Sequence, residues 1–341
     1  MTRSYFRPAG LVYGPDAAQA IEQGRGASLG GLSAIAHTLR ERIERHDDGA
    51  VSRRFETGPL PRAMVLPPFL DAGRPLVMGI VNVTPDSFSD GGLSFDAASA
   101  VAHGQQLIRE GADILDIGGE STRPGSEGVP EDEELRRVIP VIKALAEAGH
   151  TVSIDTRKAR VMREALAAGA KFVNDVSALT FDPTSMETMA AASCPVILMH
   201  AQGDPKTMQL NPRYDDVALD VYDWLEARIA ACAAAGIARE RLIADPGIGF
   251  GKSFRHNLDV MRQFALYHGL GVPLLVGLSR KAFIGALTGE KRAAERVNGS
   301  VGGAAWAALN GAHILRVHDV KATVAALAVI RAAAAPEQSG L

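Results

Sequence analysis

A closed (β/α)8 barrel of the α/β class, preceded by a small N-terminal extension, is the fold this sequence predicts, and three observations predict it. From Leu76 onward, short apolar runs alternate with Ala-rich helical stretches about eight times within a segment of barrel size. Nearly every run ends in a polar residue: Asn82, Asp116, Asp155, Asn174, His200, Asp245, Ser279 and His318. Parallel strands need a helical return, so these ends gather on one face and imply a single pocket. An open doubly wound sheet would instead bind its ligand at one switch point between strands. Finally, 341 residues with 47% hydrophobic character can bury one large core or two modest ones.

The units follow in order. LVMGIVNV precedes a helix over 96–110, ILDIGG one over 131–148, TVSID one over 158–168, and KFVNDV one over 184–192. PVILMH then precedes 215–235, RLIAD 256–268, PLLVGLS 293–309, and HILRVHD 320–334. Prolines at 59, 61, 67 and 68 interrupt the pattern upstream, which divides the chain into an extension over 1–72 and a catalytic domain over 73–336. For the extension the sequence predicts a strand near Leu11–Tyr13 and a helix around Ser33–His46, with Ile35, Leu39 and Ile43 on one face.

A net charge of −3 supplies no basic field for nucleic acid, so a small-molecule partner is expected, with anions held by local Arg, Lys or metal. Cys194 and Cys232 have no metal-ligand spacing and read as core thiols in a reducing compartment. No run approaches the roughly 20 apolar residues of a membrane span, and the basic N-terminus has no apolar stretch behind it. The expected location is cytoplasmic, with no membrane partner.

Gly79 to Gly92, GIVNVTPDSFSDGG, carries the strongest local signal: a strand ending in Asn82 opens into hydroxyls, carboxylates such as Asp86, and paired glycines suited to folding over an anion or metal. A second polar loop, GESTRPGSEG, holds Thr122, Arg123 and Pro124, with Arg123 the better candidate for ligand contact. Asp116, Asp155 and Asp245 end apolar runs and would be costly unpaired. Each alone reads rather as a helix cap or as a carboxylate tying down barrel loops; together with Asn174 they suit either the paired N–H groups of a planar nitrogen heterocycle or a divalent metal. Cations sit elsewhere in the sequence, at Lys281 after the seventh strand and at Arg316 and His318 on one face of the eighth, where barrels often bind phosphate. For Arg280 an ion pair with Asp319 is the plainer reading. DPGIGFGKS, Asp245 to Ser253, is not a P-loop, because Pro246 stands where that motif needs glycine. There, Gly249 would let backbone approach a ligand while Phe250 presents an aromatic wall.

These blocks, in order from NVTPDSFSDGG through DIGGESTRPG, SIDT, FVNDV, LMH, DPGIGFGK and GLSRK to RVHDV, resemble dihydropteroate synthases, pterin-binding TIM barrels. Ala201 departs from the family's usual MHMQG, and the extension lies outside the resemblance. The resemblance implies a transferase that condenses 6-hydroxymethyl-7,8-dihydropterin diphosphate with 4-aminobenzoate by a dissociative mechanism. It places Asp116, Asp155, Asn174, Met199, Asp245 and Lys281 around the pterin. Asn82, Thr122, Arg316 and His318 fall at the diphosphate, and Asp86, Arg123, Pro124, Gly249, Phe250 and Ser279 at the loops and aminobenzoate slot. It assigns the catalytic set to Asn82, Asp155, Lys281, Arg316 and His318, implies Mg²⁺ at Asn82, and implies a homodimer through barrel helices. A methyltetrahydrofolate-dependent methyltransferase and a catalytically silent pterin-binding homologue stay open as alternatives. The first has no need of the cationic pole.

Overall fold

The computed structural model describes residues 2–62, 64, 66–70, 73–83, 97–121, 128–203 and 208–338. Eight parallel strands form the barrel: β5 (Leu76–Asn82), β6 (Ile114–Gly118), β7 (Val152–Asp155), β8 (Phe172–Asp175), β9 (Val196–Met199), β10 (Leu242–Asp245), β11 (Leu275–Val276) and β12 (Ile314–Val317). Their order is β10-β9-β8-β7-β6-β5-β12-β11, and a parallel bridge from Ala244 to Leu274 draws the two ends together. Buried on both faces, the strands read as continuous apolar runs, which is why the sequence locates them.

The helices return the chain as expected: α2 (Ala97–Arg109), α3 (Glu131–Glu147), α4 (Ala159–Ala167), α5 (Ser185–Ala191), α6 (Val217–Ala234), α7 (Phe254–Arg262), α9 (Val297–Leu309) and α10 (Val320–Ala334). Two details differ from expectation. A short extra helix, α8 (Ala282–Thr288), follows β11, and the stretch expected as one helix over 256–268 is α7 followed by a 3-10 segment, Phe264–Leu270. Seven residues ended by Gly289 give α8 too few turns to show a periodic face.

The extension departs further. Its elements are β1 (Arg3–Tyr13), α1 (Gly14–Glu22), β2 (Ala27–Leu29), β3 (Leu32–Arg45) and β4 (Val51–Glu56), with β3 paired antiparallel to each of the other strands. The helix expected around Ser33–His46 is therefore strand β3. Ile35, Leu39 and Ile43 are four apart, and four is a multiple of the strand period as well as close to the helical one, so both templates put them on one face. Ten residues of register with β1 decide for the strand.

This sheet is part of the core. Tyr5 and Ile43 belong to the main apolar cluster, and the Tyr5 ring meets Tyr222 edge-on at 5.5 Å while its hydroxyl donates to Asp223 (2.9 Å). Arg3 reaches Glu226 and Arg45 reaches Asp220, both at 2.6 Å, so a basic strand face lies on the acidic face of α6. Leu70, on the 3-10 turn Pro68–Leu70, joins Met78, Ile114, Ile197, Ile243 and Ile314 in a second cluster inside the barrel.

His268 and His313 sit buried where the extension meets the barrel, their rings 5.7 Å apart. Leu274 N donates to His313 Nδ1 (2.9 Å), so Nε2 carries the proton and donates to the Gly30 carbonyl (2.9 Å). Burial pushes His313 down to about 4; burial and then the neighbouring His313 push His268 to about 3. Unfolded histidines titrate near ~6.5, so the unfolded chain takes up protons first, and the contribution of these neutral rings is whole above that value and lost as pH falls toward about 4 for His313 and about 3 for His268. The melting temperature is expected to drop as the solution is acidified through this range, and to drop less in His268→Phe; parallel curves for the two proteins would contradict the assignment.

Candidate active site at the carboxyl ends of the barrel strands

Asp155 at the end of β7 stands opposite Asn174 on β8, and Asp116 on β6 stands opposite Ser153, two residues before Asp155 and so on the same face, which brings the three side chains together. Arg316 on β12 reaches the same place. Its Nε donates to Asp116 Oδ2 and its Nη2 to Asp155 Oδ2, both at 2.6 Å, and Asn174 Nδ2 donates to Asp116 Oδ2 at 3.0 Å. The expectation that Arg316 lies apart from the carboxylates is thus corrected: the barrel sets β12 beside β5 and β5 beside β6, so the charge the sequence places 200 positions away closes onto the acids. None of these acids caps a helix.

Asp116 is wholly buried, and among the described residues its Oδ1 has no hydrogen-bond partner. An orphaned acceptor of this kind costs free energy unless an N–H meets it. Burial raises the Asp155 carboxyl above its ordinary value against the pull of Arg316, with Asp116 adding to the rise. For Arg316 burial works against the charge, but Asp116 and Asp155 more than offset it and hold the guanidinium above its usual value.

Asp245, at the end of β10, is buried and accepts from Gly247 N (2.7 Å). Burial raises it to about 6, opposed by the Gly247 N–H and then by Lys281. Lys281 Nζ stands 4.1 Å above the Phe250 ring, and the Gly249 backbone N–H donates to Asn257 Oδ1 (2.7 Å). Met199 ends β9 beneath a cavity of about 390 Å³ lined also by Arg157, Phe181, Met208, Trp224 and Phe250.

The Ser279-Arg280-Lys281 segment divides. Ser279 Oγ accepts from His318 N (3.2 Å) and lies 3.1 Å from His318 Nδ1, which brings those two predicted residues together. Arg280 turns away to pair with Asp319, the plainer of its two readings. Asn82 is half-buried at the end of β5. Asp86, Thr122, Arg123 and Pro124 lie outside the described residues.

Sequence reasoning missed two buried lysines. Lys158 donates to Glu120 and Glu134, both at 2.5 Å, and to the Val129 carbonyl (2.6 Å), tying the stems of the second loop. Lys252 is 1% exposed behind the Asp245 loop. A lysine ending a Gly-rich loop was the available signal for Lys252; Lys158, next to Arg157 at a helix start, gave none.

Residues 78–318 match the model of the pterin binding enzyme family. Dihydropteroate synthase of Escherichia coli K12 is 50% identical over 264 residues, covering 77% of this chain and 93% of that protein. The chain belongs to the dihydropteroate synthase family. The structure of the Xanthomonas albilineans synthase with 4-aminobenzoic acid superposes with a TM-score of 0.73 at 53% identity, covering 78% of this chain and 95% of that one. The same synthase with 7,8-dihydropteroate gives 0.70 at 50%, with the same coverage. The orphaned acceptor and its neighbours therefore sit in a pterin-binding barrel.

Replacing Arg316 by Met leaves Asp116 and Asp155 buried against each other. Breaking a buried pair costs ~3–5 kcal/mol, and the 22% exposure of the Arg316 side chain places this one at the lower end. Adding Asp116→Asn should recover part of the loss; a double variant less stable than Arg316→Met in denaturant titration would contradict the shared-guanidinium account.

Proposed function

We infer that the chain condenses 6-hydroxymethyl-7,8-dihydropterin diphosphate with 4-aminobenzoate, giving 7,8-dihydropteroate and diphosphate. The observation that carries this reading is the buried acid set on one barrel face, with the unpartnered Asp116 Oδ1 at its base. Acceptors so arranged suit the amino and ring N–H groups of a pterin, and Asp155, Asn174 and Asp245 extend the row. Lys281 faces the carbonyl side of the ring, and Phe250 under its ammonium forms a wall of the aminobenzoate slot with Ser279.

Reaction then proceeds by departure of diphosphate as the methylene C–O bond breaks. The pterin ring delocalises the resulting cation, the neutral aniline nitrogen forms the new C–N bond, and the nitrogen then releases its proton to water. No protein nucleophile is needed. His318 helps hold the leaving diphosphate, and Arg316 keeps two carboxylates fixed while offsetting their charge. Asn82 offers one hard amide oxygen, and among the described residues no group of three His, Cys, Asp or Glu stands ready to hold a cation. That donor set fits Mg²⁺ held by Asn82, substrate oxygens and water. When bound, the ion neutralises charge developing on the leaving group.

Exposed Phe254, Leu287 and Trp306 on α7, α8 and α9 support a homodimer through barrel helices. No helix of the described residues is long and apolar enough to cross a membrane, which accords with a cytoplasmic biosynthetic enzyme.

Purified protein supplied with both substrates and Mg²⁺ should yield dihydropteroate by mass, and a folded protein that yields none would defeat the reading. Calorimetry separates the two cationic roles. His318→Ala should weaken the diphosphate substrate by ~1.5–3 kcal/mol and spare an unphosphorylated pterin, whereas Arg316→Ala should weaken both. Affinity for the unphosphorylated pterin should also rise with pH through about 6 as Asp245 becomes the carboxylate acceptor, and level off above. A matching rise in Asp245→Asn would assign the titration elsewhere.

A further inference from the structure

Lys252 ends the Asp245–Ser253 motif and takes no part in the chemistry above. Its Nζ lies 2.8 Å from His200 Nδ1 and donates to the carbonyl oxygens of Gly247 (2.9 Å) and Phe250 (3.2 Å). The partners are an imidazole nitrogen and two carbonyls, none a carboxylate. Two proton arrangements satisfy them: an ammonium donating three bonds, or an amine accepting from Nδ1–H and donating two. The same two carbonyls are held either way.

Other groups fix the rest of the loop. Tyr214 donates to the Gly251 carbonyl (2.8 Å), Asn257 accepts from Gly249 N (2.7 Å), and Gln209 donates to the Gly249 carbonyl. Gly247 and Gly251 both have positive φ, and a Cβ at either would run into the His200 or Gln202 backbone carbonyl oxygen. The loop after β10 thus lies directly on the chain leaving β9, where His200 N also donates to the Asp245 carbonyl (2.9 Å). His200 is itself seated by the Trp224 ring, edge-on at 5.0 Å.

We propose that Lys252 is a positioning residue for the pterin pocket: with His200 it clamps the Gly247 and Phe250 carbonyls and so sets where the Phe250–Lys281 pair stands relative to the Asp245 carboxylate. This rests on the functional reading above. Loss of the clamp frees two carbonyls to seek other partners, and the loop then shifts under the ring that supports Lys281. A lysine that merely filled the core would lower stability when replaced and leave ligand affinity of the folded protein unchanged.

The test uses the full chain as wild type, Lys252→Met, Lys252→Arg and His200→Phe, with melting temperature, kcat and KM for both substrates, and Kd for an unphosphorylated pterin. Wild type that makes no dihydropteroate would sink the functional reading, independently of Lys252. With active wild type, folded Lys252→Met should raise the pterin Kd and the KM for the pterin diphosphate at least tenfold. Lys252→Arg, which keeps donors in place, should restore part of this, and His200→Phe should shift both constants in the same direction by less. A folded Lys252→Met with unchanged Kd and KM and only a lowered melting temperature overturns the proposal. If neither Lys252→Met nor His200→Phe folds, the pair belongs to the core and the proposal is likewise overturned.

Discussion

One guanidinium shared between two buried carboxylates organises the working end of this barrel. Because Nε and Nη2 of Arg316 belong to one rigid plane, the two bonds fix Asp116 and Asp155 relative to each other as well as to β12. Asn174 spends its amide N–H on Asp116 Oδ2, which leaves Oδ1 as the unpartnered acceptor. The arrangement exists only when the barrel is closed, since Arg316 reaches the acids across β5. Site and fold are therefore one equilibrium: opening the seam between β12 and β5 separates the charges and strands all of them.

The opposite end of the barrel is closed largely by apolar and neutral groups. Leu70 joins the inner apolar cluster, and His268 and His313 bury uncharged rings against the extension. Charge enters as well: Arg74 pairs with Asp113 at the amino end of β5, and at the margin Arg3 and Arg45 meet the carboxylates of α6. Partly exposed ion pairs of this sort contribute little individually, ~0–1 kcal/mol each, so Tyr5 and Ile43 in the core supply most of the docking and the ion pairs fix its orientation. The matched family region begins at residue 78, so this sheet is an addition that the barrel core has incorporated.

The barrel was legible because each strand is buried on both faces and each carries its polar residue at the same end; the motif blocks then identified the family and the acids. What escaped was contact between distant positions. Nothing local to RVH says that Arg316 turns to Asp116, and the spacing of Ile35, Leu39 and Ile43 fits strand and helix alike. Lys252 escaped for a different reason. A lysine ending a Gly-rich loop is a signal that fits a surface side chain as well as a buried one, and it is the fold, which lays the loop on the chain leaving β9, that buries it beside His200.

Arg316 touches the acids, yet this is compatible with the sequence-level expectation that it serves an anion. An unscreened carboxylate about 10 Å from a diphosphate charge repels it by ~1.7 kcal/mol at an effective dielectric of ~20. Asp116, Asp155 and Asp245 would together make the pocket hostile to the substrate's charged end while suiting its ring. Arg316 cancels one such charge outright, Lys281 offsets Asp245, and the elevated Asp245 and Asp155 carboxyls lessen the remainder. A guanidinium engaged with carboxylates can thus favour a diphosphate by removing repulsion, with no contact of its own required. Hydrogen-bonding power toward the pterin survives, because neutralising a carboxylate by ion pairing leaves its second oxygen an acceptor, whereas replacing it by an apolar residue would remove charge and acceptor together.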